Sequence, residues 1–140
     1  MISKALPFAA LLAAITLVAP ALAQQPPGQG TVLPKFAQPI PNIPGKSLVA
    51  VVVNYAPGEA SPPHRHAPSA FVYAYVLSGA VRSQVDDQPV RVYKTGESWY
   101  ETPGAHHRVS ENASKTEPAS LLAILVVDTG DTPLTTPDPR

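Results

Sequence analysis

The sequence predicts an all-β domain, an antiparallel sandwich or barrel, and two observations carry that expectation. Short runs rich in β-branched and aromatic residues recur with turn residues between them, about every ten residues. No window sustains the 3.6-residue apolar period of an amphipathic helix.

The elements follow in order. Residues 1–23 read as a cleaved export signal. Lys4 gives a short positive start, Ala5 to Ala19 is almost wholly apolar, and Ala21-Leu22-Ala23 ends in an Ala-x-Ala site. The apolar run is shorter than the roughly 20 residues of a spanning helix, and Pro20 stops it. A Pro-rich arm follows at 24–46, in which Val32-Leu33 and Phe36 are candidates for short edge strands. The barrel itself is expected over 47–127. Its strands are Ser47–Tyr55, Ala70–Leu77, Ala80–Val85, Pro89–Tyr93, Glu97–Glu101, His107–Ser110 and Ser120–Val127. Turn residues separate them, among them Pro57-Gly58, Ser78-Gly79, Asp86-Asp87 and Pro103-Gly104. Residues 128–140 read as a loose tail.

Composition excludes several classes of function. Lys plus Arg equals Asp plus Glu at 10 each, so the formal net charge is zero, and losing Lys4 with the leader shifts it slightly negative. Nothing here attracts nucleic acid, and nothing holds the chain to a membrane after cleavage. With no Cys, disulfides and thiolate ligands are absent, and a metal site has to use His, carboxylate or water. The expected location is periplasmic or secreted. The runs Ala70–Leu77 and Leu121–Val127 are apolar on both faces. Strands of that kind are covered on both sides, most simply by the barrel interior and by a second copy, so a homodimer is expected.

The four histidines carry the chemistry. His64 and His66 are two apart, a spacing that puts both imidazoles on one face of a strand. Neutral imidazole is the commonest side-chain metal ligand. The ordinary reading of such a pair is two surface loop histidines. His106 and His107 come about forty residues later, behind a Pro-Gly turn. They alternate in direction, so only one can share a face with the first pair.

Gly58-(five residues)-His64-x-His66, Tyr75-Val76-Leu77-Ser78-Gly79 and Gly96-(five residues)-Thr102-Pro103-Gly104-Ala105-His106-His107 together resemble the cupin superfamily over about residues 47–127. Its first motif is Gly-x5-His-x-His-x3,4-Glu-x6-Gly and its second Gly-x5-Pro-x-Gly-x2-His-x3-Asn. The resemblance implies a jelly-roll β-barrel holding a divalent metal. It places His64, His66 and His107 as ligands, with His106 as the substitute for His107. The chain departs from the pattern at three points. The carboxylate expected after His66 falls on Ala70 or Phe71, or on Val72 when counted back from Gly79. Thr102 replaces the second motif's proline, and Glu111 stands at the Asn position with Asn112 next to it.

Three readings of the site stay open at this stage. It is a three-histidine centre with free positions, or Glu59 or Glu101 completes it from elsewhere, or the histidines are a relic in a metal-free module. Zn, Fe, Mn, Ni, Co and Cu all suit the imidazoles. Phe71, Tyr73, Trp99 and Tyr100 are candidates for an aromatic pocket, with ordinary strand packing as the alternative. The expected function is binding of a small organic molecule, either by a metal-dependent enzyme of dioxygenase, isomerase or hydrolase type or by a non-catalytic binding or sensory module. Asn112-Ala113-Ser114 also forms a glycosylation sequon.

Overall fold

The structure, a computed structural model, describes residues 28–139. The predicted leader and the first residues of the Pro-rich arm lie outside that range. Eleven strands and no helix are found among the described residues. They are β1 (Thr31–Pro39), β2 (Lys46–Tyr55), β3 (Ala60–Ser61), β4 (His64–His66), β5 (Phe71–Ser78), β6 (Ala80–Val85), β7 (Arg91–Lys94), β8 (Ser98–Glu101), β9 (His106–Asn112), β10 (Ala119–Asp128) and β11 (Thr135–Pro137). All strand pairings are antiparallel, and they build two sheets. One runs β1-β2-β10-β5-β8; the other runs β11-β4-β9-β6-β7, with β3 also on β9. The expected all-β jelly-roll architecture is what the chain adopts.

Alternation along the strands makes the interior. On β5, Val72, Ala74 and Val76 are buried while Phe71, Tyr73, Tyr75 and Leu77 face out. Ala74, Val76, Val81, Leu121, Val53 and Tyr55 form one core cluster; Ala67, Ala70, Val72, Leu125 and Val127 form a second. Burying each such Val or Leu contributes about 1.5–3 kcal/mol. Most residues pointing inward from β5 and β10 are small or medium in size, and this leaves room for a cavity between the sheets.

The arm and the tail are more ordered than expected. β1 is a nine-residue edge strand along the whole of β2, with a bulge between Pro34 and Phe36. An edge tolerates proline because a missing N–H on the solvent side costs no ladder bond. The tail is not loose where it passes β4. Thr135–Pro137 pairs with His64–His66. The Ala67 N–H donates to the Leu134 carbonyl at 3.0 Å and the Asp138 N–H to the Pro63 carbonyl at 2.9 Å. The reason lies in β4, whose outer backbone groups would otherwise form an open sheet edge. The sequon asparagine is structural. Asn112 is 6 % exposed, and its amide donates to the Ala56 and Glu117 carbonyls at 3.1 and 2.8 Å.

The centre of the outer face of the five-stranded sheet is apolar, and the Lys46–Asp128 ion pair lies at one end of it. Its cross-strand rows read Phe36–Ala50–Ile124–Tyr73–Tyr100, then Leu33–Val52–Leu122–Tyr75–Ser98. Phe71, Tyr73, Tyr75 and Leu77 are 36–42 % exposed there.

Candidate metal centre

Register decides which histidines meet. On the β4–β9 ladder His64 pairs with His107 and Arg65 with His106. Paired residues share a face, so His64, His66 and His107 look into the barrel. The turn before β9 sets this register. Gly104 takes a φ of 74°, and the Ala105 N–H closes back on the Thr102 carbonyl at 3.0 Å. Glycine is suited to that left-handed position. The turn in turn presents the Ala105 carbonyl to the His66 N–H at 3.0 Å.

The three rings converge. Their centroids are 4.9, 5.2 and 6.1 Å apart, and one ligand nitrogen from each lies within 4.8 Å of the other two. His64 Nδ1 is 2.8 Å from the Pro62 carbonyl, which can only accept, so Nε2 is left with its lone pair. His107 Nε2 is 2.9 Å from Ser83 Oγ. Burial holds the His64 pKa below its usual value, with the Pro62 contact opposing the shift. Burial likewise takes His107 down to about 4, against the pull of Glu101. Both imidazoles are therefore neutral at neutral pH, the form that binds metals.

Glu101 stands beside them from the end of β8. It is 2 % exposed. Its Oε2 is 2.9 Å from His66 Nε2, its Oε1 3.3 Å from His107 Nδ1, and Trp99 Nε1 donates to Oε1 at 3.1 Å. Burial pushes the Glu101 pKa up, but His66 and His107 outweigh it and hold the carboxyl below the usual carboxylate value. The His66–Glu101 contact lies off the ring N–H line. Both His66 nitrogens and Glu101 Oε2 thus remain buried without a hydrogen-bond partner. Such atoms are costly to bury, and a cation among them would engage the Glu101 oxygen and the one His66 nitrogen that carries a lone pair. The donor set of neutral imidazoles with a carboxylate fits a divalent ion.

The residues surround a cavity of about 260 Å³. Its walls are mostly apolar, with Val53, Val72, Trp99 and Leu121 among them. Its polar groups are the histidine end and a hydroxyl cluster in which Tyr55 Oη sits 2.8 Å from Ser61 Oγ and 2.9 Å from Ser110 Oγ.

The model of the cupin domain family matches residues 51–125. The chain belongs to the cupin superfamily. Among solved structures, this cupin is similar to an uncharacterized conserved protein with a double-stranded β-helix domain from Klebsiella pneumoniae. The identity is 18% and the TM-score 0.63, with 84% of this chain and 90% of that one covered. It is also similar to the DMSP lyase DddQ from Ruegeria pomeroyi DSS-3, at 21% identity and a TM-score of 0.58, covering 80% and 54% of the two chains. Oxalate oxidase in complex with the substrate analogue glycolate matches at 24% identity and a TM-score of 0.54, covering 71% and 52%. The cupin thus spans about half of each of those two enzymes. Comparison with curated protein sequences gives no match.

Several sequence expectations meet the cupin's geometry differently. His64, His66 and His107 come together. His106 does not; its Nε2 is 2.7 Å from Asp138 Oδ2, and its N–H donates to Asp86 Oδ1 at 2.9 Å. Of the four aromatics expected in a pocket, only Trp99 lines the cavity. Phe71, Tyr73 and Tyr100 lie on the outer face, because alternation turns Val72, Ala74 and Glu101 inward instead. Glu59 is not at the site; it accepts the Ala56 N–H at 2.8 Å and closes the Pro57-Gly58 turn. Glu101 is not a surface charge; it is buried beside His66 and His107. The signal for Glu101 was its parity with Trp99 on a four-residue strand. Tyr55 and Ser110 were not foreseen, and nothing in their sequence context sets them apart.

Proposed function

We propose that this cupin is an exported metal-dependent enzyme acting on a small organic molecule. The observation that carries the reading is the convergence of His64, His66 and His107 within 4.8 Å, beside buried polar atoms that lack partners. A divalent ion held by these residues would act as a Lewis acid toward an oxygen of the substrate. The cavity supports a substrate with one oxygen-bearing, anionic or enolisable head and an apolar body. Val72, Trp99 and Leu121 would pack the body and exclude water. The Tyr55–Ser61–Ser110 hydroxyls would orient a second polar group. Burial raises the Tyr55 pKa, partly opposed by its two serine hydrogen bonds, so Tyr55 stays a neutral hydroxyl that can hydrogen-bond a substrate near neutral pH. The reaction classes that suit such a site are dioxygenation, isomerisation and hydrolysis. The leader at residues 1–23 supports a periplasmic or secreted location.

Elemental analysis of protein isolated from its native compartment tests this. About one divalent ion per chain is expected, and none after His64, His66 and His107 are all changed to Ala. Wild-type protein prepared without chelators and lacking stoichiometric metal would sink the reading. Bound metal without turnover on carboxylate, diketone and phenolic substrates would mark a non-catalytic binding module.

The apolar centre of the outer face supports a homodimer through β1, β2, β10, β5 and β8. A charge at its centre should break it. Tyr73→Glu faces its cross-strand neighbours Ile124 and Tyr100, and a buried unpaired carboxylate is strongly unfavourable. Sedimentation should show a dimer for the wild type and a folded monomer for this variant at micromolar concentration. A monomeric wild type would refute the assembly.

A further inference from the structure

We infer that the C-terminal strand β11, with Leu134 just ahead of it, is the wall of the cavity that selects a carboxylic acid by the width of its apolar body. The inference rests on the reading of the cavity as a substrate site and deepens it. Leu134, Thr135 and Pro137 all line the cavity. The family match ends at residue 125, so this wall is an addition to the shared domain.

Register puts the wall beside the histidines. On the β4–β11 ladder Thr135 pairs with His66 and Pro137 with His64. Paired residues share a face, with Cβ atoms about 4.5–5.5 Å apart. A molecule held at His64 and His66 therefore lies alongside Thr135 and Pro137. Thr136 pairs with Arg65 and points the other way. Thr135 and Pro137 are exposed as well as cavity-lining, so they form a rim where the cavity meets solvent. Leu134 is half-buried and packs on the cluster that holds Val72 and Leu125, both of which line the same cavity. The strand thus runs along the cavity from its apolar end to its histidine end.

The wall is fastened at both ends. Ahead of it, Ser69 Oγ donates to Asp131 Oδ2 at 2.7 Å, and the Ala67 N–H donates to the Leu134 carbonyl at 3.0 Å. Behind it, His106 Nε2 lies 2.7 Å from Asp138 Oδ2, and the Asp138 N–H donates to the Pro63 carbonyl at 2.9 Å. A wall held in this way discriminates by shape, because yielding to a wide ligand would break these bonds. The difference of one methylene in an apolar pocket is worth roughly 10–200-fold in discrimination, so one side chain on this wall is enough to set the preference.

The full chain, expressed with its own leader, should be titrated with acetate, hexanoate and adamantane-1-carboxylate, metal-free and with Zn(II). Trp99 is the only tryptophan and lines the cavity, so its fluorescence reads occupancy without reference to turnover. The variants are Leu134→Ala, which widens the cavity, and Thr135→Trp, which narrows it; circular dichroism and thermal melts confirm that each is folded. The wild type should prefer hexanoate to the globular adamantane acid. Leu134→Ala should shift that ratio about tenfold or more toward the adamantane acid, and Thr135→Trp should shift it at least as far the other way, with acetate changed least. If Leu134→Ala does not fold, Leu134→Val takes its place, with a smaller shift in the same direction. A ratio that neither variant moves by more than about threefold would overturn the inference. So would an equal loss of all three acids in both variants, the mark of a merely structural strand, and so would a wild type that binds none of them. Ratios that shift as expected while Zn(II) changes no affinity would keep the wall and count against the metal reading alone.

Discussion

Changing His107 to Ala should abolish metal binding, whereas the same change at His106, its neighbour in the chain, should leave binding intact. The two side chains point to opposite faces of β9. His107 is register-paired with His64 and lies 5.2 Å from it, centroid to centroid. His106 is paired with Arg65 and occupied by Asp138 at 2.7 Å. Removing His107 takes away one of three convergent nitrogens and leaves the Ser83 hydroxyl and Glu101 facing an apolar gap. The expected affinity loss is about a thousandfold or more, beyond the roughly 10–100-fold that outer partners give. His106→Ala should change affinity by less than about threefold. Its effect should fall on stability, because losing the Asp138 contact frees β11, and a lost hydrogen bond of this kind costs about 1–3 kcal/mol. Calorimetric titration with Zn(II) or Mn(II) and urea melts of both variants separate the two effects. Equal metal affinity for the two variants would contradict the assignment of faces.

Much of this was legible in the sequence because strand periodicity fixes sidedness. The runs of Val and Tyr, and the Gly and Pro between them, locate β2, β5, β6 and β10 to within a residue or two. The His64-x-His66 spacing and the Gly-to-His107 spacing locate a site that local structure alone does not assemble. What escaped is what depends on pairing between distant strands. Glu101 looks like a strand-end charge until β8 is placed beside β5, and only that register puts it opposite Val72. Phe71 and Tyr73 look like pocket aromatics because a run apolar on both faces does not say which face is inside. The structure gives the interior to Val72 and Ala74, whose size leaves the cavity open, and gives the bulky rings to the outer face. The tail looks loose because Thr135–Pro137 has no strand signal of its own; it is ordered by the open edge of β4.

Without metal, the protein should lose stability as the pH falls from about 6.5 to about 4. Burial holds the folded pKa of His107 at about 4, against an ordinary value of 6.5. The folded state therefore binds fewer protons than the unfolded state across that window, and the slope of stability with pH is positive there. The contribution is complete above the unfolded value, declines as the pH drops, and is gone below the folded value. At 1.36 kcal/mol per pKa unit, the loss is on the order of 3 kcal/mol from this residue. His64 is shifted in the same direction by burial and adds to the effect within its own window. Glu101, held below its ordinary value by His66 and His107 despite its burial, adds a loss below the ordinary carboxylate range. Against a typical total of about 5–15 kcal/mol, the fall should be large enough to shift the urea midpoint of the chelator-treated protein plainly between pH 7 and pH 4. His107→Leu removes the titrating group and fills the space with an apolar side chain, so its midpoint should vary much less over that range. A wild-type midpoint that stays level from pH 7 to pH 4 would show that His107 is not held neutral by burial. A bound ion should steepen the wild-type curve, because protons and metal compete for the same nitrogens, and the added stability should grow with free metal as mass action requires.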